Sequence, residues 1–208
     1  SDNKRLVVVF ETDGLYGDIH RGKTDFVVSA FSREITETYN LLYTKQFGTE
    51  GNDLVSGVKL QSGNVYVYGQ TDGLEFEGEG GGESNNGLTD GFVYKLDGGN
   101  AIILWNRFIG TSDADEIVSL DIGLAELAIL SRREESSDID GFVRKISTIS
   151  GVDMEGVDDG QINSIRDDIP IMISYHENKT DTLSLFKSKS LLPSNDLTNS
   201  DTNDLHLI

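Results

Sequence analysis

The sequence predicts an all-β fold made of repeated four-stranded antiparallel units, on three observations. Apolar, β-branched and aromatic residues come in short runs, such as LVVVF (6–10), NVYVYG (64–69) and AIILWNRF (101–108). Clusters of Gly, Asp, Asn and Ser separate them, as in QSGN (61–64) and DGGN (97–100). One phrase also recurs: DFVVSAFSR from Asp25, TDGFVYKLDGGN from Thr89 and DGFVRKISTISG from Asp140. Short runs punctuated in this way read as strands joined by tight turns. The one stretch with helical promise, LAELAIL (124–130), is too short and uncapped to hold a helix.

Taken in order, LVVVF (6–10), DFVVSAF (25–31) and NLLYTKQF (40–47) form a first unit of three strands. If strands within a unit are lettered a to d, this unit reads b-c-d. The segment after GTEGND (48–53), LVSGVKL (54–60), opens a second unit as strand a, followed by NVYVYG, GFVYKL (91–96) and AIILWNRF. The segment after GTSDAD (110–115), EIVSLDI (116–122), opens a third, followed by LAELAIL and GFVRKI (141–146), with a faint strand d near VDMEGV (152–157). IPIMIS (169–174) and TLSLF (182–186) belong to a fourth unit, parsed as a-b-c. Both faces of an interior unit pack on neighbours, which explains the blurred alternation of AIILW and VVVF. Four antiparallel strands at a period of roughly 50 to 60 residues indicate a β-propeller-like array of blades. Fourteen strands make about three and a half blades, a partial or incomplete ring, because closed propellers carry about four to eight. The repeat domain is assigned to residues 1–190. The polar stretch 191–208, LLPSNDLTNSDTNDLHLI, is assigned as a linker or tail.

GNVYVYGQT (63–71), TDGFVYKLD (89–97), LLYTKQFGTEGND (41–53) and LWNRFIGTSDADE (104–116) closely resemble the β-propeller repeats of bacterial secreted and surface proteins. Units of that family read G-N-V-Y-V-T-G-x-T, then D-A-F-V-A-K-L, then L-x-W-x-x-x-F-G-G-x-x-x-D. The resemblance covers residues 24 to 146 and decays toward the C-terminus. It implies a propeller fold, an extracellular or cell-surface setting and a scaffold or adhesion role, without implying any single activity.

The net charge of −19, from 36 acidic and 17 basic side chains, disfavours nucleic acid and anionic lipid as partners. Absence of cysteine removes thiolate metal sites, disulfides and cysteine nucleophiles. No apolar run reaches the ~18 residues of a membrane-spanning helix. Opening at Ser1 rather than Met, the chain reads as a piece of a longer protein. The expected partner is a protein or glycan at a cell surface, or a second copy that completes a ring.

Candidate sites are few. The insertion TDGLEFEGEGGGESNNGLTD (71–90) lacks a phosphate-binding glycine spacing and carries Glu75, Glu77, Glu79 and Glu83, so it reads as a solvated loop or a partner-contact loop. SSDIDG (136–141) places Asp138 and Asp140 at alternate positions before a glycine, and SDADE (112–116) clusters Asp113, Asp115 and Glu116. These are the candidate calcium ligands, although the distal glutamate of a twelve-residue calcium loop falls on Ser147. The competing reading gives Asp90 and Asp140 turn roles. His20, His176 and His206 lack a catalytic motif around them, and the acids are too many for any pair to be informative, so no catalytic residue is assigned. Tyr66, Tyr68, Tyr94 and Trp105 suit either a sugar-stacking platform or packing between units. Asn178-Lys179-Thr180 is a glycosylation sequon. A non-enzymatic scaffold is therefore the leading expectation, ahead of a lectin-like module and a carboxylate-dependent hydrolase or lyase.

Overall fold

The computed structural model describes residues 5–33, 38–76, 84–85, 87–135, 138–154, 160–162, 171–175 and 183–187. Residues 33, 135, 138–140, 160–162, 171–175 and 183–187 are described by backbone alone. Over these residues the chain is all-β, with strands in antiparallel sheets. The first sheet contains β1 (Arg5–Thr12), β2 (Asp25–Arg33) and β3 (Tyr39–Phe47). The second contains β4 (Asp53–Gln61), β5 (Asn64–Thr71), β6 (Asp90–Asp97) and β7 (Ile103–Ile109). The third contains β8 (Ala114–Ile122), β9 (Glu126–Glu135), β10 (Asp138–Ser147) and β11 (Gly160–Ile162), and β12 (Ile171–Tyr175) pairs with β13 (Leu183–Lys187) in the fourth. Among the described residues no helix is long and apolar enough to cross a membrane.

Local sequence explains the hairpins. Ser62 and Gly63 both take positive φ, 51° and 80°, between the paired residues Gln61 and Asn64. Two consecutive left-handed residues make the turn whose twist matches that of the flanking strands. Each four-stranded sheet also carries the same irregularity in its first pair, a register shift between Val55 and Gly57 and between Ile117 and Ser119. A further shift recurs between Ala30 and Phe31 and between Lys95 and Leu96. The same bulges thus recur in corresponding strand pairs, and bulges re-aim side chains and increase local twist.

The sheets pack in series. β4 lies against β1 and β2, β8 against β4, β5 and β6, and β12 against β8 and β9. One core, between the first two sheets, contains Phe26, Val28, Phe47, Val65, Val67, Phe92, Tyr94 and Leu96. The next contains Tyr66, Tyr68, Val93, Trp105, Ile117, Leu120, Leu127, Ile129 and Ile146. Along β5, valines thus enter one core and tyrosines the other, because successive side chains of a strand point to opposite faces. This is why the middle sheet has apolar residues on both faces.

Two details depart from the sequence reading. The last strand of the third sheet lies at Gly160–Ile162, beyond 152–157, although Asp153 already bridges to Ile146 and the Ser147 N–H donates to the Val152 carbonyl. Asp138 and Asp140 lie within a strand: β10 starts at Asp138, with Asp138 opposite Glu135 and Asp140 opposite Arg133. In-register pairing with β9 runs from Asp138 to Ser147. Among the described residues there are thirteen strands, with two in the fourth unit. The stretch 191–208, Asn178–Thr180, His176 and His206 lie outside the described residues.

Candidate functional site: the aspartate junctions and the β5–β6 loop

The most organised polar chemistry lies where one sheet hands over to the next. At the entry to β2, Thr24 forms a parallel bridge with Asn52, and the Asp53 N–H donates to the Thr24 carbonyl at 2.7 Å. At the entry to β6, Thr89 bridges Ala114, and the Asp115 N–H donates to the Thr89 carbonyl at 2.8 Å. The same backbone link therefore joins sheets one and two, and sheets two and three.

Buried carboxylates hold both links. Asp25, Asp53 and Asp90 are fully buried and Asp115 nearly so. Asp25 accepts from the backbone N–H groups of Arg21 (2.8 Å) and Gly22 (3.2 Å) and from Gln46 Nε2 (2.8 Å). Asp53 accepts from the Thr49 N–H at 2.7 Å and from its hydroxyl at 3.1 Å, and that hydroxyl also meets Thr71 Oγ1 at 3.1 Å. Asp115 accepts equivalently from the Thr111 N–H and hydroxyl, both at 2.7 Å. These bonds satisfy groups whose burial would otherwise be costly. Where the second sheet has Thr71, the third has Arg133, 3.6 Å from Asp115 and over the Phe142 ring.

Burial pushes the Asp53 carboxyl up to about 6, and the Asp25 charge adds to the rise against hydrogen bonds from Thr49 and Thr71. The two carboxylates crowd Gly48, where a Cβ would lie 2.5 Å from Asp25 Oδ1 and 2.7 Å from Asp53 Oδ2. At Gly110 a Cβ would come within 2.2 Å of Asp90 Oδ1. Gly48→Ala should therefore destabilise by about 2 kcal/mol, as overpacking does in a filled site, measured by urea denaturation. A stability equal to the parent's would show that the carboxylates do not converge there.

The acidic insertion is anchored at both ends. Phe76 stacks on Phe108 at 4.2 Å and meets Phe92 and Tyr94 edge-on. Asn85 donates from its backbone to the Leu74 carbonyl and from Nδ2 to the Thr71 carbonyl. Glu75 is exposed, and Glu77, Glu79 and Glu83 lie outside the described residues. The reading of the insertion as a solvated or partner-contact loop does not single out Phe76; the signal is one phenylalanine among glutamates and glycines.

The other predicted residues are dispersed. Asp115 caps its turn, Glu116 pairs with Arg132 at 3.6 Å, and Asp113 donates its backbone N–H to Thr111 Oγ1. Among the described residues, no three His, Cys, Asp or Glu side chains form a group able to hold a metal ion. Asp138 and Asp140 are placed by backbone only. His20 is exposed, while its neighbour Asp18 pairs with Lys45. Tyr66, Tyr68, Tyr94 and Trp105 are all buried in the two cores, where Trp105 Nε1 donates to the Thr148 carbonyl at 3.2 Å. They serve packing rather than an open stacking surface. In comparisons with known proteins, no family model matches the chain and no curated protein matches its sequence.

Proposed function

We propose that this chain is a non-enzymatic, extracellular scaffold or adhesion module of a larger bacterial surface or secreted protein, with its sheets arranged as successive blades of a β-propeller. The observation that carries this reading is the repeated junction, in which equivalent backbone bonds from Asp53 and Asp115 link one sheet to the next. Serial stacking of like sheets builds a rigid body whose loops are free to vary, and such loops are where contacts with partners concentrate. The anchored β5–β6 insertion, with Glu75, Glu77, Glu79 and Glu83, is the proposed contact element. Its charge suits a basic protein surface or hydrated cations.

The setting is tested on the producing cells. Protease added outside intact cells should remove this segment while a cytoplasmic marker survives. Full protection, lost only on lysis, would contradict the extracellular assignment.

A further inference from the structure

The two described junctions differ in charge. The first two sheets meet over a pair of carboxylates served by neutral donors, whereas the second and third meet over carboxylates and an arginine. Asp25 comes from β2 and Asp53 from β4, so each sheet contributes one member of the first pair, and both are 0% exposed. Asp25 Oδ1 and Asp53 Oδ2 share the small space beside Gly48 that a Cβ would fill. Among the described residues, the donors that reach them are the Arg21, Gly22 and Thr49 N–H groups, the Gln46 amide and the Thr49 and Thr71 hydroxyls. Charged side chains on the adjoining elements turn to other partners. Glu11 of β1 accepts from the Val55 N–H, Lys45 of β3 pairs with Asp18, Glu50 accepts from the Leu74 N–H, and Lys23 lies 4.0 Å from Asp72. Glu116 of β8 pairs with Arg132, and Asp13 and His20 are exposed.

At the second junction Asp90 and Asp115 occupy the corresponding strand entries, and Arg133 lies 3.6 Å from Asp115 at the place Thr71 holds beside Asp53. A guanidinium offsets a carboxylate's charge, and a hydroxyl does not. Two buried carboxylates side by side resist joint ionisation, so the folded first junction favours keeping one proton. Burial, with the Asp25 charge adding to it, raises the Asp53 carboxyl to about 6. The backbone link passes through the same residues: the Asp53 N–H donates to the Thr24 carbonyl beside Asp25, and the Lys23 and Thr24 N–H groups donate to the Gly51 carbonyl at 2.9 and 3.3 Å. Repulsion between the carboxylates therefore acts directly across the bonds that join β2 to β4.

We propose that the Asp25–Asp53 pair is a proton-operated clasp on the first sheet: with one proton bound it closes the junction between the first two sheets, and release of that proton to solvent loosens this junction while leaving the Arg133-balanced one unchanged. The sign follows from the raised value. The folded state favours the protonated form, so closure is fully present below about pH 4 and is lost as pH rises through about 6. The clasp depends on the charge of the pair and not on the sheets being blades of a ring.

Amide exchange followed by NMR at about pH 5 and about pH 7.5, corrected for intrinsic rates, tests the clasp residue by residue. Protection of the Lys23, Thr24 and Asp53 N–H groups relative to Asp115 should fall about tenfold at the higher pH, with all four still slower than exposed loop amides. In Asp53→Asn the ratio should not change with pH. If that variant does not fold, the side-chain carboxyl carbon shifts of Asp25 and Asp53 in the parent take its place, and the loss of protection should follow their titration. A parent ratio that is constant with pH, an equal loss at both junctions, a folded variant that keeps the parent's response, or a loss of protection at a pH where neither carboxyl titrates overturns the proposal.

Discussion

Replacing Phe26 by alanine should lower the unfolding free energy by about 4 kcal/mol, the range for removing a buried phenylalanine from a core that only partly collapses. Phe26 is fully buried at the start of β2, stacked on Phe47 at 5.5 Å and on Phe92 at 5.4 Å, with Tyr94 edge-on at 5.2 Å. Phe47 belongs to the first sheet, Phe92 and Tyr94 to the second, so one ring ties the two sheets together. Phe26→Leu, which restores most of the volume, should cost about 1.5 kcal/mol or less. Urea denaturation with an unchanged slope reads both values. A loss below about 1 kcal/mol for Phe26→Ala would mean that the sheets share no core at this point.

The second large effect is on pH dependence. Asp53 has its folded-state value raised from 3.8 to about 6, chiefly by burial. A raised value means that the folded state favours the protonated form. The contribution is fully present below about pH 4 and is lost as pH rises through 6; its full size is about 3 kcal/mol. Asp53→Asn should remove this component. The amide oxygen can still accept from the Thr49 N–H, and the amide nitrogen offers a donor toward Asp25. Between pH 4 and 7, parent stability should therefore fall relative to that of Asp53→Asn, read as the difference between their denaturation midpoints at each pH. Parallel profiles would show that Asp53 ionises as easily folded as unfolded.

Much of the fold was legible because local chemistry and tertiary demand agree. Ser62-Gly63 between two apolar runs specifies a tight hairpin. The alternation of GFVYKL is one such case: Phe92, Tyr94 and Leu96 enter one core together while Val93 enters the other. LAELAIL, the one stretch with helical promise, is too short and uncapped for a helix and joins β9 from Glu126 onward. Less legible was the end of the third sheet, because VDMEGV has few apolar residues and its edge strand is needed on one side only. The junctions were hidden for a different reason. Asp25, Asp53, Asp90 and Asp115 look like ordinary turn residues, and only the meeting of two sheets makes them buried partners. The signal present was the recurrence of Gly-Thr-x-x-x-Asp at 48–53 and 110–115, with the glycine making room and the threonine capping the aspartate. The cluster of Asp113, Asp115 and Glu116 shows the converse. Adjacent in sequence, these acids divide between a turn cap and an ion pair once the strand alternates.

The central claim is that the sheets are joined in series by one repeated backbone junction. Amide hydrogen exchange at Asp53 and Asp115, followed residue by residue by NMR, tests it most directly. Both N–H groups sit at strand entries beside loops, where unpaired amides exchange quickly. If they donate to Thr24 and Thr89 across the sheet boundaries, both should be protected as strongly as the core amides of β5 and β9. Exchange at the rate of the exposed loop amides, with β5 and β9 still protected, would contradict it.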